Sequence, residues 1–118
     1  MRHESATLLL YRPVNQQEFD LIAASGWLAF PLRLPEQLIF YPVLNEEYAA
    51  QIAQDWDAPY YGAGYVLRFA IDADYAAQFL IQNVDDRHHE ELWVPAEELA
   101  EFNRHIFGQI EVVRLFKS

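Results

Sequence analysis

The run His88-His89-Glu90-Glu91 is the first stretch of the chain to suggest chemistry, because imidazoles and carboxylates are metal ligands and proton carriers. Its spacing argues against a metal. Neighbouring side chains on an extended segment face opposite ways, and no His-x-x-x-His pair exists to put two imidazoles on one helix face. A solvated turn is the expectation. His105 follows a short helical pattern, where a positive charge suits the negative end of the helix dipole. Ser5, Ser25 and Ser118 have no base at a convincing spacing, so a serine triad is unsupported. Gly62 and Gly64 lack the strand–turn–helix setting of a dinucleotide fingerprint. The chain contains no cysteine, which removes disulfides, thiolate metal sites and thiol nucleophiles together.

The elements that must position any site are those of one domain spanning residues 1–118. Hydrophobic residues make up 53% of the chain and aromatics 15%, too apolar for a disordered tail and enough for a packed core with an aromatic-lined cleft. Eighteen acidic residues against eight basic ones give a formal charge of −10, which repels nucleic acid and anionic membrane. No segment approaches the ~20 apolar residues of a membrane span. Leu8-Leu9-Leu10 is too short for a signal-peptide core, and with no cysteine the expected compartment is the cytoplasm.

Thr7–Arg12 reads as a first strand. Asn15 caps a helix, with Glu18 placed to reach back as in a capping box and Phe19, Ile22 and Ala23 on one face. Leu38–Val43 reads as a strand in which Pro42 marks an edge or an end. A second helix opens at Asn45-Glu46-Glu47. Tyr48, Ile52 and Trp56 share one of its faces, and Ala49 and Ala53 permit close approach to a sheet. Asp57–Gly64 reads as a turn-rich loop, Tyr65–Asp72 as an alternating strand, and Phe79–Val84, Glu91–Val94 and Ile110–Phe116 as further strands. Asp85–His89 is a polar connector, and Pro95 starts a short helix. Consecutive strands without crossover helices imply an antiparallel α+β fold with two or three short helices.

Three blocks, Leu10-Tyr11-Arg12-Pro13-Val14, Ile39 to Ala49 (IFYPVLNEEYA) and Glu91 to Leu99 (ELWVPAEEL), resemble a group of small bacterial proteins labelled "ADP-ribosylation/crystallin J1". Through them the chain resembles the ADP-ribosyltransferase-like fold, in which two sheets flank a cleft that holds NAD. The late block also looks like that of DNA-targeting ADP-ribosyltransferase toxins. Arg12, Tyr41 and Glu91 fall in the order of that fold's three site positions, although neither its Arg-Ser-Glu set nor its His-Tyr-Glu set is intact.

The resemblance implies Glu91 as the catalytic carboxylate that stabilises a cationic ribose carbon, with Glu90 turned away by strand alternation. It implies Arg12 as a phosphate or ribose partner and Tyr41 as a stacking partner for nicotinamide. Arg33, between Pro31 and Pro35, is a second anion partner, and Tyr61 with Tyr60 a candidate lid. Each has a plainer alternative: Arg12 pairing with an acidic neighbour, Tyr41 in the core, Glu91 as an exposed strand residue, Arg33 and the tyrosines as solvated loop residues. The functions that follow are NAD-dependent mono-ADP-ribosyl transfer to a target such as a protein, or a non-catalytic nucleotide- or protein-binding module on the same fold. An acidic face meeting a basic partner is a third.

Overall fold

Asn15 closes the first strand and opens the first helix, its side chain accepting the Glu18 amide at 2.9 Å. A computed structural model of the chain describes residues 6–85 and 88–118. Met1–Ser5 and the connector positions Asp86 and Arg87 therefore lie outside the described residues. Strand β1 (Thr7–Asn15) leads into α1 (Gln16–Ala24), then comes a long loop to β2 (Ile39–Phe40). Helix α2 (Glu46–Ile52), a π-helical turn (Ala53–Asp57) and α3 (Ala58–Tyr61) run on without a break. Strand β3 (Ala63–Asp72), α4 (Ala73–Ala76), β4 (Leu80–Asn83) and β5 (Glu90–Pro95) follow. A 3₁₀ turn (Ala96–Glu98), α5 (Leu99–Arg104) and β6 (Ile106–Lys117) complete the chain.

The strands form two small antiparallel sheets, ordered β1-β3-β6 and β2-β5-β4. The α+β, two-sheet expectation therefore stands, with more helices than expected. Val43 joins the sheets. It pairs with Tyr11 on one side and Glu91 on the other, exchanging both backbone bonds with Tyr11 at 2.9 and 2.7 Å. The strand expected over Leu38–Val43 is thus split in two, since Pro42 has no amide to give a ladder. Just past this junction, Arg12, Pro13, Val14 and Asn15 of β1 line a depression, part of a groove.

The main core lies between the sheets and α5. Phe30, Phe40, Phe69 and Phe102 pack ring against ring at 4.8–6.0 Å, with Leu10, Leu67, Ile71, Leu92 and Val94 around them. A smaller cluster seats α2 on the first sheet: Ala49, Ala50 and Ala53 lie against Val43 and Val66. Small residues let the helix come close and turn Tyr48, Ile52 and Trp56 toward the groove.

Asp57–Tyr61 is helical, correcting the loop reading. Pro59 lies just past the wide turn in this continuous helical run, and the left-handed Gly62 (φ 87°) ends the helix. Gly64 on β3 lets the wide turn pack directly against the strand. A Cβ there would collide with the Ala53 carbonyl oxygen and lie 2.9 Å from Asp57 Cβ. A backbone contact this close admits only glycine. We therefore expect Gly64→Ala to cost about 1–3 kcal/mol, read as a lowered urea midpoint.

Candidate active site

Two adjoining depressions make up the groove. The first, of about 510 Å³, is lined by Tyr41, Tyr48, Ile52, Trp56, Asp57, Tyr60, Tyr61 and Glu91. The second, of about 210 Å³, shares Tyr41, Ile52, Asp57 and Tyr61 with it and adds Arg12, Glu18 and Arg33. All five residues implied by the resemblance therefore line one groove: Glu91 in the first depression, Arg12 and Arg33 in the second, Tyr41 and Tyr61 in the wall common to both.

Glu91 is buried, not an exposed strand residue. Its Oε2 accepts the Tyr48 hydroxyl at 2.6 Å and its Oε1 accepts the Trp93 indole N–H at 3.0 Å. Two donors thus fix the carboxylate in place. Leu92 and Val94 go to the core, which leaves Glu91 and Trp93 on the opposite face of β5. Desolvation, reinforced by the hydrogen bond to Glu91, raises the Tyr48 phenol pKa, so this group stays a donor. His89 stacks on the Tyr48 ring at 4.1 Å and meets Asp85 at 2.6 Å, so it lies against the aromatic wall and is less solvated than expected.

Arg12 is also buried, and its guanidinium meets Glu18 as a fork, Nε to Oε2 at 2.7 Å and Nη2 to Oε1 at 3.0 Å. This corrects two expectations. Glu18 does not reach back as a capping-box residue, and Arg12 does not offer an open fork to a phosphate. Arg12 shares the inward face of β1 with Leu10 and Val14, so its charge needs a partner there. Burial opposes the Arg12 charge, but the charge and hydrogen bonds of Glu18 outweigh it and raise the pKa. The guanidinium carbon lies 4.8 Å from the Phe40 ring centre and 6.0 Å from that of Tyr41.

Arg33 lies 5.9 Å from the same Phe40 ring and donates weakly to the Ile39 carbonyl at 3.4 Å. Burial, then repulsion from Arg12, lowers its pKa. Among the described residues, the buried side-chain atoms without a hydrogen-bond partner are Arg33 Nε and Asp57 Oδ2. Tyr41 and Tyr61 are exposed, and Trp56 and Tyr60 stack on each other at 5.4 Å.

Sequence reasoning missed Asp57, Tyr48 and Trp56 as groove residues. The four-residue spacing of Tyr48, Ile52 and Trp56 was the available signal. Asp57 carried none, because its position depends on the π turn.

Desolvation pushes the Asp57 carboxyl up to about 6 from an ordinary 3.8, against a smaller opposing pull from Arg12. Folded protein therefore holds a proton that unfolded protein releases between these values, and stability falls as pH rises through about 6. The side chain is only part-buried, so solvent screening reduces the effect to about 1 kcal/mol. Asp57→Asn is expected to be the more stable protein at pH 8 and to lose that advantage by pH 4, in urea titrations at both pH values.

No family model, curated protein or solved structure matches the chain. Among the described residues no cluster of three or more His, Asp or Glu side chains could hold a metal ion, and no helix is long and apolar enough to cross a membrane.

Proposed function

We propose that the groove binds NAD and that the chain is an ADP-ribosyltransferase-like protein transferring a single ADP-ribosyl group. The observation that carries this reading is Glu91, a buried carboxylate held by two donors at the wall of an aromatic groove between two sheets. In the reaction the bond from ribose C1′ to the nicotinamide nitrogen breaks, and its electron pair leaves with neutral nicotinamide. The acceptor's nucleophilic atom bonds to C1′ and gives up its proton to solvent. Positive charge develops at C1′ between these events, and a carboxylate already oriented beside it stabilises that charge without reorganising.

Tyr41, exposed beside the groove, supplies the ring for nicotinamide. Arg33, which lines the second depression and has no carboxylate partner among its hydrogen bonds, is the better anion partner, since Arg12 is committed to Glu18. That commitment favours a second reading, a binding module that holds the nucleotide without chemistry. Thermal unfolding with and without NAD tests both. At a hundredfold over its dissociation constant, NAD should stabilise the protein by about 2.7 kcal/mol. A transition unchanged by millimolar NAD defeats both readings. Stabilisation without nicotinamide release selects the module.

A further inference from the structure

We infer that the first depression recognises an organic cation whose charged nitrogen carries no N–H, an N-alkylated pyridinium or a quaternary ammonium. Tyr41, Trp56, Tyr60 and Tyr61 are all exposed, yet all line one concavity. A contiguous exposed aromatic surface of this kind marks a binding site. The carboxylates of Glu91 and Asp57 line the same concavity, and among the described residues no lysine, arginine or histidine does, Arg12 and Arg33 lying in the adjoining depression. Ring faces and carboxylates without a competing cation favour positive charge, and a desolvated cation over a ring is held more tightly than an exposed one.

The hydrogen-bond inventory then separates one kind of cation from another. A guanidinium or primary ammonium brings several N–H donors that need acceptors. Here each oxygen of Glu91 already holds a donor, so an N–H cation must share those oxygens with Tyr48 and Trp93, and Asp57 Oδ2 is buried beneath the surface. A cation clothed in carbon needs none of these acceptors. It satisfies the ring faces and the surrounding negative charge and leaves the bonds from Tyr48 and Trp93 to Glu91 unbroken. Trp56 and Tyr60 stack on each other, 18° from parallel, so the two rings form one aromatic unit on this wall.

The inference rests on the groove being a ligand site, but not on the ligand being NAD. Isothermal titration with 1-methylnicotinamide and nicotinamide, and with choline and its neutral carbon isostere 3,3-dimethylbutan-1-ol, tests it. At least one cation should bind about tenfold or more tightly than its neutral counterpart. Trp56→Ala should remove that preference and Trp56→Phe should restore part of it. Trp56 is exposed and its replacement leaves the net charge unchanged, so neither misfolding nor loss of a diffuse acidic field would imitate the result. Preference for the pyridinium alone identifies a dinucleotide source, and equal binding of choline identifies an aliphatic one. Equal affinity for cation and neutral isostere, or full binding by Trp56→Ala, overturns the inference. Binding of 1-methylnicotinamide with no response to NAD would defeat the NAD reading alone. NAD binding without cation preference would defeat this inference alone.

Discussion

Glu91→Gln should lower nicotinamide release from NAD by about 10²–10³-fold while leaving the NAD-dependent thermal shift in place. In the proposed reaction, loss of charge would remove the stabilisation of the ribosyl cation, while the proposed ring and arginine contacts to the ground-state dinucleotide would remain. The replacement is not silent structurally. Glu91 accepts from both the Tyr48 hydroxyl and the Trp93 indole, and a glutamine amide must turn its NH₂ toward one of these donors. Unfolding without ligand should therefore show a loss of about 1–3 kcal/mol. Tyr48→Phe is the informative companion. It keeps the charge and removes one of the two positioning bonds, so its release rate should fall by less than that of Glu91→Gln. Undiminished release by Glu91→Gln would remove the carboxylate from the chemistry altogether.

Glu18→Ala should destabilise the fold by about 3–5 kcal/mol, because it strands the Arg12 charge on the inward face of β1. The double variant Arg12→Met, Glu18→Leu should recover most of this loss, since an apolar pair of similar bulk needs no compensation beside Phe40. Urea titrations of Arg12→Met, of Glu18→Leu and of the double variant give the coupling directly. Additive losses would mean that the fork contributes little beyond its separate contacts. A recovered double variant that still binds NAD would also leave Arg33 as the groove's working cation, in line with its having no carboxylate partner among its hydrogen bonds.

The parts of this fold that could be read from sequence are those set by neighbours in the chain. The Asn15 and Asn45 caps, the alternation of Leu67, Phe69 and Ile71, and the turn into α5 after Pro95 are local devices, and they stand in the structure. The parts that escaped depend on distant partners. The helical state of Asp57–Tyr61 needs the wide turn seated on Gly64, which is a contact and not a periodicity. Glu18 has the spacing of a capping-box residue, and Asn15 supplies its half of that box at the Glu18 amide, yet the Glu18 carboxylate goes instead to the buried guanidinium of Arg12. Pro42 marked the break in the strand, but that Val43 beyond it bridges Tyr11 and Glu91 is a property of sheet assembly that no single segment carries.

The π turn has a consequence for the aromatic wall. On a regular helix a column of every-fourth residues overshoots a full revolution by about 40° at each step, so three steps would carry Tyr60 about 120° round from Tyr48. The backbone enters and leaves the wide turn in ordinary right-handed geometry, at Ala53 and Ala58, so the rod stays continuous. Within it each residue advances through a smaller angle, and the column is rewound. Tyr48, Ile52, Trp56 and Tyr60 consequently all look into the same hollow, four rungs of a ladder that an ideal helix would have twisted out of sight.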